Sequence, residues 1–352
     1  MAREKYNVIG VMSGTSLDGL DIAYVSLAFD SKWTFDIITA ETIPYPRFWN
    51  EKLAVLAKST LQDVKAIDTA YTEYLSEMVN AFLKKHQITA IDAVCSHGHT
   101  AIHAPEQGFT YQIGNQKRLA EILGCMVVCD FRTQDVQLGG QGAPLVPIGD
   151  ELLFSDFDYC LNLGGFSNLS AKKNGTRIAY DICPVNTVLN HYVKPLGLDY
   201  DDAGKIAESG EINQSLLDQL NQLDFYKQPP PKSLGIEWVN QEILPTIDIY
   251  HLNVKTILRT FVEHIAIQIS KQITNNGNVL ITGGGAYNLF LIERLKTHLN
   301  ANVVIPEKVL VDFKEALIFG LLGVLKLRGE VNCLSSVTGS KIDHSSGVVF
   351  NV

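Results

Sequence analysis

Apolar and turn-forming residues alternate sharply at the start of the chain. The run YNVIGVMSG, the polar TSLDG and the run LDIAYVSLAF predict a β-strand, a Gly/Ser/Thr/Asp turn and a second strand from about residue 21. A third strand is expected over 35–45. Between 61 and 86 the period changes, because Val64, Ile67, Tyr71, Tyr74, Leu75, Met78 and Phe82 recur at three- and four-residue spacing, the mark of an amphipathic helix. AIDAVCS (90–96) and CMVVCDF (125–131) read as strands flanking the helical NQKRLAEILG. Strand–helix–strand order of this kind predicts an α/β domain.

The opening pattern returns near residue 159. YCLNLGGFSNLSAKKNGTRIAYDI again sets an apolar strand, a glycine-rich turn and further strand, with Asn174-Gly175 as another turn. Amphipathic helices are expected over 212–223 and 254–275, then the strand NVLITGGG, a helix over 287–299, the strand ANVVIP and a helix over 314–328. The second half thus repeats the pattern of the first. PPPK (229–232) predicts a stiff exposed loop, and the join between the halves is expected within 133–147, where glycine and proline cluster.

A length of 352 residues exceeds what one core usually fills, which also argues for two domains. A net charge of −9 with no Lys/Arg block removes nucleic acid as an expected partner. The amino-terminal apolar run breaks at Gly10 and no 18-residue apolar stretch follows, so a cytoplasmic protein without a membrane partner is expected. The six cysteines form no CxxC pair and read as reduced thiols. His97, His99 and His103 lack carboxylate or cysteine neighbours at ligand spacing, so no metal cluster of side chains is expected.

Two glycine-rich hairpins have a chemical use, because each turn brings backbone N–H groups close to phosphate oxygens. In the first, Gly14, Thr15, Ser16, Leu17, Asp18, Gly19, Leu20 and Asp21 add hydroxyls for phosphate, and carboxylates (Asp18, Asp21) for hydrated Mg²⁺. In the second, Asn162, Gly164, Gly165, Ser167 and Asn168 occupy the turn, and Gly283, Gly284 and Gly285 follow the strand VLIT where a nucleotide could approach. Each string alone also fits a plain turn.

The ordered set GTSLDGLD, SHGHT, DFRTQDVQLGGQGAPLVP, NLGGFSN, AYDICPVN, PPKSLG, TGGGAYN, EALIFG and LSSVTG, over residues 10–339, resembles the anhydro-N-acetylmuramic acid kinase family. The resemblance implies two actin-like (ribonuclease H-like) α/β domains with a nucleotide cleft between them: 1–132, rejoined by about 331–352, and 133–330. It also implies ATP and Mg²⁺, a homodimer, and a reaction that opens a 1,6-anhydro sugar with water while phosphorylating O6. By the same resemblance Asp181 is the catalytic base. His97, Gly98, Arg132, Asp135 and Glu315 are the sugar-facing residues, Arg132 offering a guanidinium fork for a carboxylate. A kinase for another 1,6-anhydro sugar and a non-catalytic actin-like ATP-binding protein are the alternative readings.

Two departures stand out from the family pattern. His99 replaces the usual Gln, which would alter a substrate hydrogen bond. The family's Asp-Thr-Gly-Pro-Gly-Asn is here Asp181-Ile182-Cys183-Pro184-Val185-Asn186, without either glycine. If those positions need positive φ, a different turn and an altered sugar pocket are expected.

Overall fold

The computed structural model describes residues 4–14 and 17–352, which divide into two compact units, one running to Phe154 and rejoined by Phe313–Val352, the other Ser155–Asp312. In the first, β1 (Lys5–Ser13), β2 (Gly19–Phe29) and β3 (Trp33–Pro44) form an antiparallel meander. β4 (Ala93–Ala104) and then β6 (Val127–Cys129) add in parallel beside β1, β5 (Phe109–Ile113) pairs with the far half of β4, and the carboxy-terminal strand Val348–Phe350 closes the edge.

Both faces of β1 are covered, which explains its nearly continuous apolar run. Ile9 and Val11 join Leu20, Ile22, Tyr71, Leu75 and Phe82 in a core beneath α1 (Leu61–Lys85). Thr60 starts that helix with a capping box, its hydroxyl accepting from Asp63 N–H while the Asp63 carboxylate accepts from Thr60 N–H. The opposite face, carrying Val8 and Gly10, meets residues 313–328 of the helix Lys308–Arg328. Ala316, Gly320 and Gly323 lie four and three apart along that helix and let it approach β1 and β4 closely.

The second unit repeats the plan. β7 (Tyr159–Leu163), β8 (Phe166–Lys173) and β9 (Thr176–Pro184) are the antiparallel meander, and β10 (Asn278–Thr282) and β11 (Asn302–Val304) add in parallel beside β7. The two sheets share strand order and strand direction, so the duplication expected from the sequence is present as two α/β units of one topology. The core of this unit is built on the helix Val254–Ser270, which buries Ile257, Leu258, Phe261, Val262 and Ile265. No helix among the described residues is long and apolar enough to cross a membrane.

The division of the chain differs from the expected 1–132 and 133–330. Residues 133–154 and 313–330 belong with the first unit. The reason is packing: the Lys314 ammonium is ion-paired at 2.6 Å with the buried Asp150 carboxylate, and Gly149 lies directly against Ile318. The second break falls at Phe313, whose φ of −115° and ψ of 15° interrupt the helix Lys308–Arg328.

Candidate active site

In the first unit β1 ends at Ser13 and delivers Gly14 to the hairpin, where Leu17 takes a positive φ of 61°. Asp18 is exposed and Asp21 accepts from the Thr42 hydroxyl at 2.5 Å. Gly19 and Leu20 are buried at the start of β2, where a Cβ on Gly19 would meet the Ile43 carbonyl oxygen at 2.4 Å. That glycine is therefore required by sheet packing. Thr15 and Ser16 lie outside the described residues.

A buried polar chain stands behind this hairpin. The Ser13 hydroxyl bonds to Tyr45 Oη at 2.6 Å and to His99 Nδ1 at 2.7 Å, and Tyr45 Oη bonds to Tyr71 Oη at 2.7 Å. Burial lowers the His99 pKa to about 4, so at neutral pH its ring is uncharged. Residue 99 thus fixes the strand end before Gly14, a role that sequence reasoning did not identify because Ser13, Tyr45 and Tyr71 come from three segments remote from it in sequence.

His97 and Gly98 lie on β4 beside it. Arg132 Nε donates to His97 Nε2 at 2.8 Å, and His97 Nδ1 donates to the Gly98 carbonyl at 2.9 Å. An arginine only donates, so this pair fixes His97 as the neutral Nδ1–H tautomer. Burial, and then the Arg132 charge, hold its pKa well below the ordinary value. Arg132 Nη1 donates to the Gly142 carbonyl at 2.6 Å, which leaves Nη2 for a further acceptor. Burial lowers the guanidinium pKa to about 10, and Glu315 opposes that shift. Glu315 retains solvent access, yet the protein around it excludes enough water to raise its carboxyl pKa, with Arg132 and Lys314 opposing.

Asp135 is placed differently from the sugar-facing role implied by resemblance. It is 0% exposed, with Oδ2 accepting from Gly142 N–H at 2.7 Å and Oδ1 accepting from the Thr338 hydroxyl at 2.7 Å and the Cys333 thiol at 3.1 Å. Every one of these bonds points into the fold. Its effect is to hold the glycine loop whose Gly142 carbonyl positions Arg132.

In the second unit the remaining glycine motifs converge. A Cβ on Gly283, at φ +84°, would lie 2.6 Å from Asn162 Oδ1, and one on Gly285 would lie 2.7 Å from Leu163 Cβ. Gly284 lies beside Asn186. The Gly164 carbonyl accepts from Asn186 N–H at 3.3 Å, and the Gly165 carbonyl accepts from Val185 and Thr187 N–H at 2.8 and 3.2 Å. The hairpin and the strand end are therefore hydrogen-bonded to each other, and the loop after β10 packs closely against them through its glycines.

Asp181 sits on β9 opposite Asn168, beside a register shift in β8. Its backbone N–H donates to the Lys232 carbonyl at 2.9 Å, and its Oδ2 accepts from Leu234 N–H at 2.8 Å, so the loop after the exposed prolines docks on it. Oδ1 is left to act. Burial raises the carboxyl pKa and the Leu234 bond offsets part of that rise.

The two lost glycines have a structural explanation. Cys183 continues β9, and Val185 has a φ of −128°, so neither position uses the left-handed region that only glycine would tolerate well. Both side chains are 0% exposed and enter the core of the unit, with the Ser167 hydroxyl donating to the Cys183 carbonyl at 3.0 Å. The departure fills the core behind Asp181 and leaves the carboxylate in place. Val185→Gly is accordingly expected to cost about 2–4 kcal/mol of stability, from lost burial and added chain entropy, measured by urea denaturation.

The model of the family described as anhydro-N-acetylmuramic acid kinase matches residues 6–352. The chain belongs to the anhydro-N-acetylmuramic acid kinase family. Relatives bearing that name include proteins of Haemophilus influenzae (34% identical, covering 97% of each chain) and Sulfurovum (35%, covering 99% of this chain and 100% of the relative). One from Pseudomonas fluorescens is 35% identical over 95% of this chain and 96% of its own length. Among solved structures, component A of the Acidaminococcus fermentans (R)-2-hydroxyglutaryl-CoA dehydratase is 14% identical, with a TM-score of 0.47, covering 92% of this chain and 99% of that chain.

Proposed function

We propose that the protein is an ATP-dependent kinase that opens the ring of 1,6-anhydro-N-acetylmuramic acid with water and phosphorylates O6, yielding N-acetylmuramic acid 6-phosphate and ADP. The observation that carries this reading is the retention of Asp181, with one oxygen anchored and the other available, in a chain that matches the family over nearly its whole length. In this reading Asp181 takes a proton from water as the water oxygen bonds to the anomeric carbon. The bond from that carbon to the bridging oxygen breaks, and the released O6 displaces ADP from the γ-phosphorus in line.

Arg132 Nη2 is assigned to the lactyl carboxylate of the sugar, with His97 and Gly98 holding the guanidinium and Glu315 as a second carboxylate toward the anhydro bridge. The glycines of the two hairpins and Gly283 to Gly285 are assigned to ATP. Mg²⁺ would accompany the nucleotide; the hairpin carboxylates Asp18 and Asp21 supply hard oxygen donors of the type it prefers. The same reading places the enzyme in the cytosol, where its six cysteines stay thiols, as a homodimer.

The test is incubation with Mg-ATP and the anhydro sugar, measuring ADP and phosphosugar together. Equal yields of both are expected, and no phosphosugar at saturating Mg-ATP overturns the reading. Levoglucosan, an anhydro sugar without the lactyl and acetamido groups, should be used far less well; equal use would remove the muramic part. Arg132→Lys is expected to raise KM for the muramic sugar by about 10- to 100-fold, the worth of one charge-assisted hydrogen bond, while changing levoglucosan kinetics little.

A further inference from the structure

Far apart in sequence and outside the groups assigned to catalysis, Asp135, Cys333 and His344 bring one carboxylate oxygen, one thiol sulfur and one imidazole nitrogen within 4.8 Å of one another. We propose that these three side chains form a binding site for a divalent transition metal ion of the zinc class. Four observations carry the assignment.

Firstly, the three residues are 0%, 2% and 6% exposed, so the donors are shielded from bulk water. Secondly, His344 Nε2 is buried without a hydrogen-bond partner among the described residues, and its 3.7 Å separation from Asp135 Oδ1 is too long for one. A buried imidazole nitrogen left in that state has a cost that a metal ion would remove. Thirdly, the backbone prearranges the ligands: Cys333 and His344 are directly opposed in an antiparallel bridge, exchanging N–H···O bonds of 3.1 and 3.2 Å, which sends both side chains to one face. The other ring nitrogen, Nδ1, lies 3.1 Å from the Ile342 carbonyl, and a donated bond there leaves Nε2 as the lone-pair donor.

Fourthly, the donor chemistry matches. Thiolate, imidazole and carboxylate are the ligands of tetrahedral Zn²⁺, whose bond lengths of about 2.0–2.3 Å place ligand atoms roughly 3.3–3.8 Å apart. Cys333 Sγ is already 3.1 Å from Asp135 Oδ1. Binding replaces the S–H···O bond by a sulfur–metal bond and releases the thiol proton to solvent. The fourth position falls to water or to the Thr338 hydroxyl, 2.7 Å from the same carboxylate oxygen. The sequence expectation of no metal cluster looked for neighbouring ligands; here Asp135 and Cys333 are 198 residues apart. An ion at this point ties the carboxy-terminal segment to the carboxylate that holds Gly142, and through Gly142 to Arg132.

The experiment titrates the untagged full-length protein with Co²⁺ and records its spectrum. One equivalent is expected to bind with a thiolate-to-cobalt charge-transfer band, which one equivalent of Zn²⁺ removes. Cys333→Ser abolishes the band, and His344→Gln weakens Co²⁺ binding by at least about 100-fold, since even neighbours of metal ligands are worth 10- to 100-fold. Absence of a band in the unaltered protein overturns the proposal, as does a band that survives Cys333→Ser and so belongs to another cysteine. Circular dichroism checks that each variant folds, and His344→Gln decides where the cysteine variant does not. The readout involves no turnover, so its outcome is separate from the kinase reading.

Discussion

Asp181→Asn is expected to lower kcat by roughly 10²- to 10⁴-fold, the usual worth of a positioned general base, with stability held or slightly raised because a buried charge is removed. The asymmetry of the carboxylate is the reason. Oδ2 is committed to Leu234 N–H, and the amide oxygen of asparagine can accept that bond. The loop over 232–234 therefore stays docked, and only the basicity of the second oxygen is lost. Steady-state kinetics with a thermal denaturation control separates the two effects. If the variant turns over like the unaltered enzyme, water is activated by another group, and Glu315 becomes the next carboxylate to test.

The pH profile follows from the same geometry. Burial raises the Asp181 pKa above the ordinary carboxylate value, and a base must be deprotonated to act. Activity is thus lost, as pH falls, at a higher pH than an ordinary aspartate would give. The sign for stability is opposite to that of a salt-bridged carboxylate. Raising the folded-state pKa means the folded protein prefers the protonated acid, so this group detracts from stability fully above its folded pKa, progressively less as pH falls through that value, and not at all below the ordinary carboxylate pKa of the unfolded chain.

Much of the architecture was legible because period and turn chemistry agree along the chain. The helix over 61–86 is observed as Leu61–Lys85, and the repetition of strand, glycine turn and strand is observed as two sheets of one topology. The domain limits were not legible. They depend on pairs such as Lys314 with Asp150, which are remote in sequence and announce no local signal. Site residues divide in the same way. Glycines read as phosphate contacts could not be separated by sequence from glycines needed for packing, and Gly19 and Gly285 have packing reasons of their own. Asp135 sits in a conspicuous motif yet faces inward, and Cys183 and Val185 looked like changes to a sugar pocket yet fill a core. A linear motif records which residues act together; it does not record which way each side chain points.

Gly10→Ala is expected to destabilise the protein by about 3 kcal/mol, the upper part of the range for overpacking, and to lower activity at temperatures where the fold persists. Urea denaturation beside steady-state kinetics checks both effects. A Cβ at that position would lie 1.9 Å from the Ala316 carbonyl oxygen and 3.2 Å from Gly320 N. Both obstacles are helix backbone, which cannot rotate away as a side chain could. Strand and helix would have to separate, uncovering Val8 and Val25, both 0% exposed at the same interface. Catalysis should suffer with it, because β1 runs from Gly10 through Ser13 straight into the hairpin at Gly14, and the helix carries Glu315 immediately before Ala316.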